Sequence, residues 1–248
     1  MLKKILKSIL PSNLIYFLSS LKDDYFTRWF LKSYSQEGED MILRRIFEKQ
    51  AQGFYVDIGA HHPKRFSNTF YFYQNGWCGI NIDAMPGSMK SFDKIRPRDI
   101  NIEIPISIKK EVLTFYIFNE PALNSFSKNL SELRNDADNP YYITDTKNIE
   151  TSSLEEILDK NLLSNQVIDF MSIDVEGLDF MVLKSNNFNK YKPKVILIEI
   201  LVDSLEEILN SEITLFLAEN SYRIYAKAKN TVIYMTEEFY RETQKYKV

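Results

Sequence analysis

Residues 54–63, FYVDIGAHHP, form an apolar run that contains Asp57 and Gly59 and ends in two histidines and a proline. Short apolar runs bounded by turn residues are typical of strands that are buried on both faces of a parallel sheet. Similar runs follow at 77–83 (WCGINID), 167–175 (VIDFMSIDV) and 194–200 (KVILIEI). Helix-like segments lie between them, which predicts an α/β fold with helices on both faces of a mostly parallel sheet.

Helix signals are clearest after residue 150. Ser153 is followed three residues later by Glu156, a capping-box pattern, and the apolar residues of 154–162 fall on one helical face. Residues 178–187 and 204–220 are expected to form two further helices.

Three other regions complete the predicted organisation. Residues 100–107 and 112–118 are expected to form a hairpin-like pair, and 222–228 with 230–235 a terminal antiparallel hairpin. Residues 119–150 carry several proline and asparagine residues and no clear periodicity. A segment of this length is predicted to be an irregular functional loop, which acts as a lid that helps to form a ligand pocket.

Composition places the chain among soluble globular proteins. Of 248 residues, 44% are apolar and 26% are charged, which excludes a disordered tail, a collagen-like fibre and a coiled-coil rod. The net charge of −3 gives no global basic field, so nucleic acid is not an expected partner. A single cysteine, Cys78, excludes a disulfide framework and favours a reducing compartment.

The N-terminus begins with a basic patch that runs into apolar residues. Pro11, Ser12 and Asn13 interrupt this run, so its apolar part is shorter than the ~20 residues of a membrane span. We expect residues 1–33 to be a helical extension, which either packs on the domain or attaches weakly to an anionic membrane surface. Residues 34–248 are predicted to be one domain of a cytoplasmic protein without a transmembrane segment.

Acidic residues mark the ends of the first two predicted strands. Ligands of parallel sheets bind beyond the carboxyl ends of the strands, where an acidic residue accepts hydrogen bonds from ribose hydroxyls. Asp83 holds that position, 26 residues after Asp57, but the first turn contains only Gly59 and lacks the further glycines of a pyrophosphate-binding loop. A nucleoside ligand without phosphates, such as S-adenosylmethionine, fits both observations. The alternative is that Asp57 and Asp83 only cap strands or form turns.

An ordered series of motifs over residues 33–200 resembles the FkbM family of S-adenosylmethionine-dependent methyltransferases. The motifs are YSQEGED (34–40), FYVDIGAHHP (54–63), SNT (67–69), GWCGINIDAMPGS (76–88), SSLEEIL (152–158), MSIDVEGLDFMVL (171–183) and KVILIEI (194–200). The resemblance implies a Rossmann-like class I methyltransferase fold, with a seven-stranded, mostly parallel sheet whose last strand is antiparallel. That strand agrees with the terminal hairpin.

The resemblance also implies roles for single residues in binding the cofactor. Gly59 and Ala60 would give the cofactor close access to the backbone, Asp57 would lie near the methionine ammonium, and Asp83 would hold the ribose hydroxyls. Gln36 would close over the methionine carboxylate or the acceptor, unless its segment is simply a polar helix start. The implied cofactor-binding set is Gln36, Asp57, Gly59, Ala60, Asp83, Ala84 and Ser107.

The reaction centre is expected near Asp174 and Glu176. A hydroxyl acceptor must lose its proton during methyl transfer, which requires a base or a metal ion. Asp174 and Glu176 are therefore the predicted catalytic residues, and His62, Asp174 and Glu199 a candidate Mg²⁺ or Mn²⁺ site. Alternatively, Glu176 caps the following helix and His62 only shapes the turn before Pro63.

The expected activity is O-methylation of a sugar, a capsule or polysaccharide precursor, or a phosphorylated small molecule. Four basic residues are candidates to receive a phosphate or carboxylate of that acceptor: Lys64, Arg65, Arg96 and Arg98. The alternative is a metal-dependent glycosyltransferase that uses a nucleotide sugar, because Asp174-Val175-Glu176 resembles the spaced acidic pair of such enzymes. Only the methyltransferase needs Asp57, Gly59 and Asp83 at their strand ends.

Overall fold

A seven-stranded sheet organises the computed structural model, which describes residues 11–15, 31–136, 138–202 and 204–244. The strands of the described residues are β1 (Phe54–Ile58), β2 (Cys78–Asp83), β3 (Ile100–Glu103), β4 (Val112–Phe118), β5 (Ile143–Glu150), β6 (Phe170–Ile173), β7 (Val195–Glu199), β8 (Tyr222–Ala228) and β9 (Thr231–Thr236). The sheet has the order β3-β2-β1-β6-β7-β9-β8, and β4 and β5 form a separate two-stranded sheet.

Five of the seven strands run parallel to one another, and β9 is antiparallel to both of its neighbours. Since β8 and β9 are paired and adjacent in sequence, they form the predicted terminal hairpin. The predicted fold class, a mostly parallel seven-stranded sheet that ends in an antiparallel hairpin, is confirmed.

Helices cover both faces of this sheet. They are α1 (Glu39–Ile46), α2 (Phe70–Gln74), α3 (Met89–Ile95), α4 (Lys128–Arg134), α5 (Leu154–Asn161), α6 (Asp179–Lys184), α7 (Leu205–Leu209), α8 (Glu212–Glu219) and α9 (Glu237–Gln244). Successive strand residues face opposite sides, so Val56 packs with α5, α6 and α8 while its neighbour Tyr55 packs with α1 and α2. Burial of each large apolar side chain in these two layers contributes about 1.5–3 kcal/mol.

The predicted pairing of residues 100–107 with 112–118 is wrong. β3 instead pairs in parallel with β2, and β4 pairs with β5, which lies inside the segment that was expected to be irregular. The reason is that β5 (ITDTKNIE) is exposed along most of its length. It therefore lacks the apolar alternation from which a strand is recognised.

Residues 112–150, which we call the insertion, are more ordered than the sequence suggests. Besides β4 and β5 they contain a 3₁₀ turn, Pro121–Leu123, and helix α4. The side chain of Ser127 accepts a hydrogen bond from the backbone N–H of Leu130 and so caps α4. The predicted helix over 204–220 is likewise divided into α7 and α8, because Ser211 caps a new helix start by accepting a bond from the N–H of Thr214.

The N-terminal extension predicted over residues 1–33 lies mostly outside the described residues. Residues 12–15 are helical. Among the described residues, no helix is both long enough and apolar enough to cross a membrane. The extension and the single domain over 34–248 stay predictions.

Candidate active site

A cavity of about 390 Å³ opens at the carboxyl ends of β1, β2 and β6. This volume lies in the range of sites that enclose a small organic ligand. Seven of the eleven residues predicted to bind the cofactor, act in catalysis or hold a metal ion line it: Gln36, Gly59, His62, Asp83, Ala84, Asp174 and Glu176. The strand ends therefore converge on one cavity, as expected for a parallel sheet.

Four predicted residues are not among those that line the cavity: Asp57, Ala60, Ser107 and Glu199. The carboxylate of Asp57 is buried and accepts a 2.7 Å hydrogen bond from the Thr69 hydroxyl, so it holds the 67–69 loop. Burial raises the pKa of Asp57, and the nearby guanidinium of Arg96 opposes that shift. The buried Ser107 hydroxyl donates to Glu111 at 2.8 Å.

The first turn is built by close approach of two strand ends. Gly59 has a φ of +81°, and a Cβ atom at this position would overlap the carbonyl oxygen of Asp174. The N–H groups of Gly59 and Ala60 both donate to the carbonyl oxygen of Ile82, at 2.9 and 3.0 Å. Glycine is required here because β1 and β6 meet, and the turn directs the next residues toward the cavity.

Asp83 ends β2 with its carboxylate held by two backbone groups. One oxygen accepts from the N–H of His61 and the other from the N–H of Met85, both at 2.8 Å. Each carboxylate oxygen accepts more than one hydrogen bond, so Asp83 retains capacity for ligand hydroxyls. Burial raises the pKa of Asp83, and the two backbone N–H groups oppose the shift.

An apolar slot lies beside Asp83. It is lined by Met85, Ile104, Pro105, Ile106, Phe115 and Phe126. Phe115 and Phe126 stack with ring centroids 4.5 Å apart, and both belong to the insertion. Flat apolar walls of this kind suit a planar ring. Sequence reasoning did not identify these two aromatic residues as walls of the cavity, because β5, the partner of the strand that carries Phe115, was not recognised.

Three carboxylates meet on the side of β1 away from Asp83, next to the ends of β6 and β7. Asp174, Glu176 and Glu199 each offer an oxygen within 4.8 Å of the others. Asp174 is the most exposed of the three residues, and of the three only Asp174 and Glu176 line the cavity. Burial, followed by the charges of Glu199 and Glu176, raises the pKa of Asp174 well above its usual range. Burial and Glu176 raise the pKa of Glu199 to about 8, so Glu199 is mostly protonated at neutral pH.

Arg134 places a positive charge on this acidic group. Its Nη2 atom lies 2.6 Å from Oε2 of Glu176, and both side chains are less than one fifth exposed. Burial raises the pKa of Glu176, and the guanidinium of Arg134 opposes that shift. Arg134 was not identified from the sequence, since it lies in the region expected to be irregular.

The turn over residues 174–177 is held by Asp179. The carboxylate of Asp179 accepts hydrogen bonds from the N–H groups of Val175 (3.1 Å) and Gly177 (3.0 Å). Burial raises the pKa of Asp179 to about 6, against the effect of these bonds. Asp179, and not Glu176, therefore ties the turn to the start of α6, while Glu176 is free to pair with Arg134.

His62 does not belong to the group of carboxylates. Its Nδ1 atom accepts the backbone N–H groups of Lys64 (3.0 Å) and Arg65 (2.9 Å), so it stabilises the turn that follows β1. Among the described residues, the group of carboxylates therefore consists of Asp174, Glu176 and Glu199 and does not include His62.

The predicted role of Arg96 in binding an acceptor anion is wrong. Arg96 is fully buried and pairs with Asp99 at 2.8 Å, while also donating to the Tyr55 hydroxyl and to Thr69. Arg65 does line the cavity, where it pairs with Glu120 of the insertion at 3.2 Å. Among the four basic residues, Arg65 is therefore the one placed to meet a ligand.

Comparison with known proteins identifies one family. The model of the methyltransferase FkbM domain matches residues 57–224, which is about two thirds of the chain and extends from β1 into β8. Curated proteins give no match. The X-ray structure of YjhP from E. coli is similar over 80% of this chain and 70% of the YjhP chain, with a TM-score of 0.36 and 10% sequence identity.

Proposed function

The chain belongs to the FkbM methyltransferase family, and from this premise we propose that it transfers the methyl group of S-adenosylmethionine to an oxygen of a sugar or glycan precursor. The observation that carries the proposal is the single cavity that joins Asp83 and the apolar slot at one end to Asp174 at the other. One end suits a nucleoside and the other suits removal of a proton.

The residues of the cavity fit S-adenosylmethionine. Asp83 has acceptor capacity left for ribose hydroxyls, and the slot beside it offers apolar walls to adenine. Gln36 lines the cavity near the first turn and would meet the methionine part. When bound, S-adenosylmethionine would supply a methyl carbon on a positively charged sulfur; the acceptor oxygen would bond to that carbon as the bond to sulfur breaks, which leaves S-adenosylhomocysteine.

Asp174 is the group that we propose as the base. Its carboxylate is accessible from the cavity and has a raised pKa, so it accepts a proton more readily than an ordinary aspartate. Glu199 does not line the cavity, and Glu176 is paired with Arg134. The remaining contribution is positioning, because an in-line displacement depends on how the oxygen faces the methyl group.

Charge favours a neutral acceptor oxygen at this end of the cavity. The carboxylates of Asp174 and Glu176, beside Arg134, would disfavour a phosphate placed next to Asp174. A phosphate elsewhere on the acceptor would lie near Arg65. A hydroxyl of a sugar meets these conditions. Membership of a methyltransferase family disfavours the glycosyltransferase alternative.

Calorimetry with S-adenosylmethionine and S-adenosylhomocysteine tests the proposal. We expect both to bind, and Asp83→Ala to weaken binding by about tenfold or more, because it removes a charged hydrogen-bond acceptor. Asp93→Ala is the matched control, since Asp93 is exposed on α3. Failure of the wild-type protein to bind either compound would refute the proposal, as would tight binding of a nucleotide sugar in their place.

A further inference from the structure

The insertion contacts the acidic turn through Glu176. Arg134 of α4 pairs with the Glu176 carboxylate at 2.6 Å. The Ser125 hydroxyl donates to the carbonyl oxygen of the same residue at 2.5 Å. One residue therefore receives an ion pair through its side chain and a hydrogen bond through its backbone, both from the insertion.

The backbone at this point is strained. Glu176 has a φ of +56°, a left-handed conformation that is unfavourable for a residue with a side chain. The following residue, Gly177, has a φ of +101°, and a Cβ atom there would lie 3.1 Å from Leu130 and 3.2 Å from Ser127. Strained conformations persist only where their surroundings hold them. Here the insertion supplies much of that support.

We propose that Arg134 is a positioning residue, whose ion pair with Glu176 couples the ordering of the insertion to the conformation of the turn that carries Asp174. Its importance for methyl transfer rests on the proposed function, whereas the coupling itself is a property of the free protein. Arg134 acts through Glu176 and needs no contact with the acceptor.

Two physical effects follow from the ion pair. It compensates the charge of Glu176, which otherwise lies unpaired beside Asp174 and Glu199. It also holds the left-handed turn from the side of the insertion, while Asp179 holds it from the side of α6. Without the contacts of the insertion, the ion pair and the Ser125 hydrogen bond would be lost, and only the bonds of Asp179 would hold the turn. The turn that carries Asp174 is therefore fully supported only while the insertion, which also supplies Phe115 and Phe126 to the cavity, keeps these contacts.

Hydrogen exchange of the free protein tests the coupling without an acceptor. Arg134→Gln should raise exchange in residues 174–178 and in 119–135 together, by roughly fivefold or more, as expected for loss of one interaction between two contacting elements. Arg134→Lys keeps the charge and should restore part of the protection. Lys128→Gln is the matched control, because Lys128 lies on the same helix with an exposed partner, Glu132.

A double-mutant cycle shows whether Arg134 acts through Glu176. Glu176→Gln should raise exchange in the same two segments, and the double variant should exchange no faster than the more affected single variant. Unchanged exchange at 174–178 in Arg134→Gln, an equal increase in Lys128→Gln, or additive effects in the cycle would each overturn the proposal. Thermal unfolding confirms that the variants are folded, and Arg134→Lys provides the comparison if Arg134→Gln is not.

Binding of S-adenosylhomocysteine separates this proposal from the proposed function. Its affinity should fall less in Arg134→Gln than in Asp83→Ala, because Asp83 is intact and only the Phe126 side of the slot belongs to the segment that loosens. If Arg134→Gln raises exchange in both segments but the wild-type protein does not bind S-adenosylhomocysteine, only the methyltransferase proposal is refuted. Binding together with uncoupled exchange would refute the role of Arg134 alone.

Discussion

Gly59, at the end of β1, packs so closely against Asp174, at the end of β6, that a side chain at position 59 would overlap the Asp174 carbonyl oxygen. The N–H of Asp174 in turn donates to the carbonyl oxygen of Ile58 at 3.0 Å. The turn on the cofactor side and the proposed base are thus joined through the backbone. A change at Gly59 is transmitted to the reaction centre without any side chain between them.

Replacing Gly59 by alanine should be far more damaging than the same change at Gly87. Both glycines have left-handed φ values, +81° and +87°, but nothing lies within 4 Å of a Cβ at Gly87. We expect Gly87→Ala to cost about 1 kcal/mol from backbone strain alone. Gly59→Ala adds steric overlap and should cost roughly 3 kcal/mol or more. Urea unfolding measures both, and equal losses would contradict the close approach.

The parallel sheet was predictable because its strands are apolar runs with turns between them, and their ends had to meet at one edge. Asp83 and Asp174 could be found for that reason. The fold of the insertion could not be predicted, because β5 is polar and exposed and pairs with a strand some thirty residues away. Its contributions to the site, including Arg134, depend on that long-range pairing, which leaves no local pattern in the sequence.

Removing the charge of Arg96 should destabilise the fold. Arg96 is buried with Asp99 and also bonds to Tyr55 and Thr69, so its loss leaves an unpaired carboxylate in the interior. We expect Arg96→Met to lower the free energy of unfolding by about 3–5 kcal/mol. Lys94→Met, at an exposed cation two residues earlier on α3, should change it by about 0.5 kcal/mol at most. Similar values from urea titration of the two variants would show that the buried network contributes little.

The free energy of unfolding should fall as the pH rises from about 4.5 to about 8, because of the buried carboxyl groups near Asp174. The folded state keeps a proton on Glu199 up to about pH 8, whereas the unfolded state loses it near pH 4.5. Unfolding therefore releases a proton in this window, and the free energy of unfolding decreases with pH. Asp179, with a pKa of about 6, acts in the same direction over the lower part of the window.

Glu199→Gln isolates this contribution, because glutamine resembles the protonated acid and does not titrate. The variant should unfold at nearly the wild-type temperature at pH 5 and at a higher temperature at pH 8.5. Glu219→Gln, on the exposed end of α8, should follow the wild-type curve throughout. Parallel curves for the wild-type protein and Glu199→Gln would mean that Glu199 is already ionised in the folded state.

Asp174→Asn should abolish turnover and spare cofactor binding. Asparagine keeps the size of the side chain and relieves repulsion from Glu176 and Glu199, so the fold should tolerate it. Loss of a general base predicts a decrease of roughly a hundredfold or more in S-adenosylhomocysteine formed with an acceptor present. Asp145→Asn, exposed on β5, is the matched control and should keep full turnover.

A metal ion at the three carboxylates would make turnover sensitive to chelators, and Mg²⁺ or Mn²⁺ would restore it. Turnover that resists chelation but not Asp174→Asn identifies a base without a metal, whereas near-normal turnover in Asp174→Asn would make the acidic group structural.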